Sequence, residues 1–143
     1  MDSKRGWDLI FETPHWKIIL MPDQKYLGRC VVVLKRKCGD LAELKQDEIL
    51  DFFEVVQKTE SLSKRTYNAT MFNWSCLMNN AYQETVPNPQ VHWHFRPRYN
   101  HPVEFAGRTF NDSRFGHYYL EEPEEIPSQE VLDKIAEELR KNL

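Results

Sequence analysis

Cysteine, membrane-length apolar runs and targeting signals are scarce or missing in this chain. Its three cysteines, Cys30, Cys38 and Cys76, form neither a C-x-x-C pair nor a zinc-ligand spacing. We therefore expect reduced, unreactive thiols and a reducing compartment. No apolar stretch approaches the length of a membrane span, and residues 1–5 do not open a signal peptide. The protein is predicted to be cytoplasmic, with no membrane partner.

A strong excess of one charge sign is also missing. The chain has 22 acidic and 19 basic residues and a net charge of −3, which gives no electrostatic reason to bind duplex DNA. A small phosphate-bearing ligand stays open, because such a site needs only a few local donors. No repeat, linker or break in composition marks a second domain. Residues 1–143 are predicted to form a single domain with an acidic C-terminal extension from about residue 100.

Apolar periodicity and turn residues predict the elements of this domain. Strands are predicted at 7–11, 15–21, 30–34, 68–78 and 91–99, and the acidic tail is predicted to be loop-like as far as Glu125. A long helix is predicted from Gln46 to about Tyr67, and a C-terminal helix after Ser128. The apolar stripe of the long helix is predicted to contain Ile49, Leu50, Phe52, Phe53 and Val56. Neighbouring strands with short connections favour an α+β fold: an antiparallel five-stranded sheet with the long helix on one face.

The chemically informative stretch is residues 89–99, PQVHWHFRPRY. In a strand, Gln90, His92, His94 and Arg96 point to one face, and the apolar residues between them point to the core. Side chains two residues apart lie roughly 6.5–7 Å from each other, so both imidazoles can reach one phosphate ester. One neutral imidazole can attack phosphorus while the other donates to a leaving oxygen. The Gln90 amide and the guanidinium of Arg96 or Arg98 could add donors to the developing charge.

Three other interpretations of the histidine pair remain open. An H-x-H pair can bind zinc, although no local spacing supplies a third ligand. Both histidines could be ordinary surface residues. The domain could also bind a nucleotide without turning it over.

The same stretch resembles the signature of the histidine triad family, three histidines alternating with apolar residues and often continued by Pro-Arg. Aligning Pro97-Arg98 with that Pro-Arg puts Gln90, His92 and His94 at the three triad positions. The resemblance then implies that His92 is the nucleophile, that His94 contacts the phosphates, and that the backbone carbonyl of Gln90 holds the other ring nitrogen of His92. The alternative register places His92, His94 and Arg96 at these positions, with His94 attacking.

Upstream segments also resemble the family. Residues 73–79, NWSCLMN, end in Asn79, eleven positions before Gln90, where the family commonly has a phosphate-contacting amide. Residues 27–36 resemble the family's segment that begins Pro-Gly-His, but Arg29 replaces the histidine. Met21 stands where many members have a ribose-contacting Asn or Asp, with Asp23 nearby as a substitute.

The resemblance implies a nucleotidyl hydrolase that acts on dinucleoside polyphosphates, nucleoside polyphosphates or nucleoside phosphoramidates through a nucleotidyl-histidine intermediate. The catalytic residues are then His92, His94 and Gln90, and the nucleotide-binding residues are Asn79 and Arg98. No metal ligand is predicted and no cofactor is required for the attack, although magnesium can arrive bound to the substrate. The family also implies a homodimer joined edge to edge. The alternatives are nucleotidyl transfer to phosphate or a sugar phosphate, and a nucleotide-binding protein with reduced catalysis.

Overall fold

A computed structural model describes residues 6–143 of the chain, so the expectation for the N-terminal residues 1–5 lies outside the described part. Its main elements are five strands and two helices, and a short hairpin lies between the fifth strand and the second helix. The strands are β1 (Leu9–Glu12), β2 (Trp16–Leu20), β3 (Cys30–Leu34), β4 (Met71–Ser75) and β5 (His92–Arg98). The helices are α1 (Gln46–Tyr67) and α2 (Gln129–Lys141), and the hairpin pairs β6 (Val103–Phe105) with β7 (Arg108–Phe110). No helix among residues 6–143 combines the length and the apolar character that crossing a bilayer requires.

The five main strands form one antiparallel sheet in the order β1-β2-β3-β5-β4. This arrangement confirms the predicted α+β class, with its five-stranded antiparallel sheet, long helix and C-terminal helix. Strand β5 lies between β3 and β4, and Phe95 within it is fully buried. The histidine-bearing strand is therefore held by hydrogen bonds on both sides, which gives its side chains a rigid base.

Helix α1 begins and ends at the predicted residues. At its N-terminus, the buried Glu48 side chain accepts a hydrogen bond from the Lys45 backbone N–H at 2.8 Å. At its C-terminus, Asn68 adopts a left-handed conformation with φ 59°, which ends the helix. Phe52 packs the helix onto the sheet, and its ring stacks on Trp93 with centroids 4.9 Å apart.

The predicted apolar stripe of α1 is wrong in part. Ile49, Leu50 and Phe53 are 52%, 67% and 60% exposed, whereas Val55 and Leu62 are buried. The buried face also includes Thr59 and Ser63, whose small polar side chains a count of apolar residues overlooks.

Two other predictions differ from the structure. The strand predicted over 68–78 extends only from Met71 to Ser75, because Asn68 and Met78 have φ values of 59° and 58° that interrupt extended backbone. The tail is not entirely loop-like, since residues 103–110 form the hairpin of β6 and β7. Its turn contains Ala106 and Gly107, both with positive φ.

Candidate active site

The face of the sheet opposite α1 carries the polar row predicted for β5. His92 pairs with Val33 of β3, and His94 pairs with Val31 of β3 and Ser75 of β4. The two imidazole rings are neighbours, with centroids 5.1 Å apart and planes at 78°. On the helix side, Trp93 packs against Phe52. The structure therefore brings the predicted pair together on one face of a rigid strand.

The ring of His92 is held in one orientation by the backbone. Its Nδ1 lies 2.8 Å from the carbonyl oxygen of Gln90. A carbonyl can only accept a hydrogen bond, so in the neutral imidazole Nδ1 carries the proton and Nε2 keeps its lone pair. This tautomer leaves Nε2 as a nucleophilic nitrogen.

The hydrogen bonds of the Gln90 side chain go to backbone groups and not to either histidine. Its Nε2 donates to the carbonyls of Leu34 and Arg36, each at 2.7 Å, and its Oε1 accepts from the Cys38 N–H at 3.0 Å. The amide thus ties the start of β5 to the end of β3. Gln90 positions His92 through its backbone, as the family resemblance implies, while its side chain fixes the backbone itself.

His94 has a different environment from His92. Burial, followed by the nearby charges of Arg96, His92 and Arg29, lowers the pKa of His94 to about 4. His94 is therefore neutral at pH 7 in the ligand-free protein, so its ring can offer a hydrogen bond to a ligand but has no imidazolium proton to give. Its Nδ1 is buried without a hydrogen-bond partner among the described residues. A backbone contact that fixes the orientation of the ring is present at His92, whereas Nδ1 of His94 has none.

Two cavities meet beside His94. One, of about 310 Å³, is mainly apolar and is lined by Trp7, Ile19, Met21, Val31, Val33, Asn80, His92 and His94. The other, of about 400 Å³, is polar and is lined by Met21, Asp23, Arg29, Leu77, Asn79, Asn80, His94, Arg96, Glu121 and Glu124. Met21, Asn80 and His94 belong to both linings. The pair of cavities can accept an apolar group and an anionic group on either side of the histidines.

Charged groups dominate the inner wall of the polar cavity. Arg96 is 1% exposed; its Nη2 lies 2.7 Å from Oε1 of Glu121, and its guanidinium stacks 3.9 Å from the centroid of the Tyr119 ring. Arg29 is 6% exposed and pairs with Asp23 at 3.1 Å. The face alternation of β5 predicted the placement of Arg96. Glu121 lies 25 residues further along the chain, and no local pattern pointed to it.

The two predicted nucleotide-binding residues have different placements. Asn79 lies in the wall of the polar cavity, and its side chain makes no cap hydrogen bond. The structure does not bring Arg98 to either cavity lining. Its buried guanidinium pairs with Asp112 at 2.7 Å and donates to Asn73 Oδ1 and to two carbonyls of the tail. Arg98 therefore holds the tail against the sheet, with its donors occupied.

The remaining candidate groups are metal ligands and cysteine thiols. Within residues 6–143, no group of three or more His, Cys, Asp or Glu side chains is arranged to hold a metal ion. Cys30, Cys38 and Cys76 are free thiols, and burial raises the pKa of Cys30 to about 12. Cys30 is therefore protonated and unreactive at neutral pH.

Comparison with known protein families identifies a HIT domain over residues 5–101, which is more than half of the chain. The chain belongs to the HIT domain family, in agreement with the resemblance of residues 89–99 to the histidine triad signature. A search of curated protein sequences finds no match.

Solved structures of the family share the fold. A histidine triad protein from Marinobacter aquaeolei has a TM-score of 0.70 and 17% identity, over 95% of this chain and 88% of that one. One from Sinorhizobium meliloti has a TM-score of 0.70 and 19% identity, over 99% and 92% of the two chains. Diadenosine triphosphate hydrolase from Plasmodium falciparum has a TM-score of 0.63 and 16% identity, over 99% and 77%.

Proposed function

We propose that the protein is a nucleotidyl hydrolase that forms a transient nucleotidyl adduct on His92. The observation that carries the proposal is the 2.8 Å contact between His92 Nδ1 and the Gln90 carbonyl, which leaves Nε2 unprotonated beside the ring of His94. A nucleophile held in one orientation by its own strand needs little reorganisation before attack. Family membership and the fold shared with a diadenosine triphosphate hydrolase support a nucleotide as the substrate.

The reaction divides one displacement into two. In the first, the lone pair of His92 Nε2 attacks the α-phosphorus, and the bond from phosphorus to the leaving group breaks with its electron pair leaving on that group. In the second, water attacks the same phosphorus, the N–P bond breaks, and a mononucleotide departs while the water's proton passes to solvent. His92 Nε2 then has its lone pair again.

The surrounding groups have separate roles in this proposal. Neutral His94 donates a hydrogen bond to a phosphoryl oxygen, and Asn79 contributes its amide from the cavity wall. The apolar cavity receives the nucleoside, with the half-exposed ring of Trp7 available for stacking on the base. Magnesium, when it is present, arrives on the polyphosphate of the substrate, and the attack uses no metal held by the protein.

Intact-mass analysis after rapid quench tests the adduct. Incubation with a panel of adenylylated substrates is expected to add the mass of one nucleotidyl group, mapped by peptide analysis to His92. His92→Ala is expected to abolish turnover, because the nucleophile is removed. His94→Ala is expected to lower the rate and still allow some adduct. His117→Ala, at an exposed histidine of the tail, serves as the matched control and is expected to keep the wild-type rate.

Two outcomes contradict specific parts of this proposal. Wild-type rates in both His92→Ala and His94→Ala exclude nucleotidyl transfer to either histidine. An adduct lost in His94→Ala and only slowed in His92→Ala establishes the alternative register. A parallel reaction with added inorganic phosphate separates hydrolysis from transfer, since transfer produces a nucleoside diphosphate in place of part of the mononucleotide.

We also propose the homodimer that the family resemblance implies. In the described sheet β4 is an edge strand, so its outer backbone groups are available to a second copy. The exposed apolar side chains of Ile49, Leu50 and Phe53 on α1 are suited to an interface. Sedimentation velocity at micromolar concentration is expected to give twice the mass of 17.1 kDa, and a monomer under these conditions contradicts the proposal.

A further inference from the structure

Two buried guanidinium groups lie next to the histidines. Arg96 follows His94 by two residues on the same face of β5, at roughly 6.5–7 Å along the strand. Arg29 directly precedes β3, the strand that pairs with β5, and both arginines line the polar cavity together with His94. Arg29 is 6% exposed and Arg96 is 1% exposed. The proposed phosphoryl site therefore continues directly into a wall that carries two buried guanidinium groups.

Asp23 and Glu121 are the counter-ions of these two arginines, and they differ in burial. Asp23 is buried and pairs with Arg29 at 3.1 Å. The remaining partner is Glu121, whose Oε1 lies 2.7 Å from Arg96 Nη2 and whose Oε2 lies 3.8 Å from Arg29 Nη2. The Nε atoms of both arginines are buried without a hydrogen-bond partner among the described residues. Arg29 thus has a buried counter-ion of its own, whereas Arg96 depends on the Glu121 carboxylate from the tail, which also approaches Arg29.

Glu121 is the replaceable member of this group. Its side chain is 54% exposed, whereas those of the arginines are 7% and 1% exposed. The backbone around it is held independently: Leu120 N–H donates to the Tyr26 hydroxyl at 2.8 Å, and Lys25 Nζ donates to the Glu122 carbonyl at 3.0 Å. A rotamer change can therefore move the Glu121 carboxylate into solvent while the tail stays in place.

We propose that Arg29 and Arg96 form an anion subsite that Glu121 fills in the ligand-free protein and that a leaving-group phosphate of the substrate occupies in its place. A phosphate offers guanidinium the same acceptor geometry as a carboxylate, with more charge and more oxygen atoms. Arg96 is two residues after His94 on the same face of β5. The subsite is therefore placed to hold the phosphate next to the one that reacts. This inference rests on the proposed function and narrows its substrate class to nucleoside and dinucleoside polyphosphates.

The protonation state of the site agrees with that class. A polyphosphate leaves as a stable anion and needs no proton, whereas the amine of a phosphoramidate must be protonated to leave. Neutral His94 carries no spare proton for an amine, because burial and the adjacent arginines keep its pKa well below 7. Arginine charge beside the histidines also stabilises a departing anion.

Calorimetric titration with inorganic diphosphate tests the subsite without requiring turnover. Glu121→Gln keeps the size of the side chain and removes the competing charge, so diphosphate is expected to bind about tenfold more tightly than to the wild-type protein. Glu122→Gln is the matched control: it removes an exposed carboxylate next to Glu121 that lines neither cavity and forms no ion pair with either arginine among the described residues. Its affinity is expected to stay within about twofold of wild type. The double variant Glu121→Gln/Arg96→Gln is expected to lose the tighter diphosphate binding of Glu121→Gln. If this double variant shows no cooperative melting, Glu121→Gln/Arg29→Gln is used in its place.

Equal affinity in wild type and Glu121→Gln overturns the inference, and so does an equal gain in Glu122→Gln, which would be a general charge effect. The two proposals can fail separately. Tighter diphosphate binding in Glu121→Gln without any nucleotidyl adduct supports the subsite and contradicts the hydrolase. An adduct on His92, together with unchanged diphosphate affinity in Glu121→Gln, supports the hydrolase and contradicts the subsite.

Discussion

At the scale of single residues, two histidines of the same strand have been given different properties by their surroundings. His92 is oriented by a backbone carbonyl, so one nitrogen is protonated and the other is free. His94 is half-buried beside two arginines, which disfavours its charged form. The first arrangement suits a nucleophile and the second suits a neutral hydrogen-bond donor. The difference between the two imidazoles follows from their positions in the fold, since the side chains are identical.

The lowered pKa of His94 predicts how stability depends on pH. The pKa is 6.5 for an ordinary histidine and about 4 for His94 in the folded protein. Between these values the unfolded chain binds more protons at this residue than the folded protein does. The free energy of unfolding is therefore expected to fall as the pH drops from about 6.5 towards 4. His94→Gln, measured by urea unfolding over the same range, is expected to show a shallower decrease. Parallel pH profiles for the two proteins would contradict the assignment.

At the scale of elements, the site depends on how α1 is joined to the sheet. Glu48 accepts hydrogen bonds from Arg36 Nε at 2.8 Å and Nη2 at 2.9 Å, in addition to the Lys45 N–H. These contacts lower the pKa of Glu48 to about 2, with Arg36 as the largest cause. The backbone carbonyl of Glu48 accepts from Trp16 Nε1 at 2.9 Å. The first turn of α1 is thus tied to β2 and to the segment after β3.

Replacement of Glu48 tests the importance of this junction. Glu48→Ala is expected to lower the free energy of unfolding by about 2 kcal/mol, because the cap and its charge-assisted hydrogen bonds are lost together. The measurement is urea denaturation followed by circular dichroism at pH 7. Glu54→Ala, at an exposed position of the same helix, is the control and is expected to change stability by less than about 0.5 kcal/mol. A similar effect of both substitutions would show that the contacts of Glu48 contribute little.

Local patterns were sufficient to predict most of these elements. The bounds of α1 and the alternation of His92 and His94 on β5 follow from periodicity and turn residues, which act over a few residues. The C-terminal helix follows from Ser128, whose side chain accepts from the Val131 N–H at its first turn. The exposed side of α1 was mispredicted because the inward side includes Thr59 and Ser63, and burial of such residues depends on the facing sheet.

Groups that meet through the tertiary fold could not be predicted in this way. Arg98 has a side chain suited to phosphate, yet Asp112 and two tail carbonyls occupy it. Glu121 reaches the arginines only because the tail crosses back over the sheet. Neither contact has a signature in the sequence near the residues involved.

At the scale of the whole molecule, the tail is fixed to the sheet by a buried ion pair. The side chains of Arg98 and Asp112 are 1% and 2% exposed, and Asp112 also accepts from the Tyr99 N–H at 3.1 Å. Arg98 in turn donates to the carbonyls of Arg114 and His117 at 2.7 and 3.0 Å. The contacts hold the segment that leads to Tyr119 and Glu121, so the tail's position over the site depends on this pair.

Neutralising Asp112 is expected to release part of the tail. Asp112→Asn leaves the Arg98 charge buried without its counter-ion, and the free energy of unfolding is expected to fall by about 3 kcal/mol. Limited proteolysis is expected to cut within residues 112–125 faster than in the wild-type protein. Glu104→Gln, an exposed acidic residue of the hairpin, is the control and is expected to behave like wild type. Unchanged stability and unchanged cleavage would show that other contacts hold the tail.

The HIT domain match ends at residue 101, while Glu121 and Glu124 in the wall of the polar cavity lie beyond it. His92 and His94 and the carboxylates that border them on one side are therefore encoded in separate stretches of the chain. Exchange of the tail between related proteins could then alter which molecules are accepted while the chemistry at phosphorus stays the same. In this architecture, the choice of ligand and the chemistry proposed for the histidines can change independently of each other.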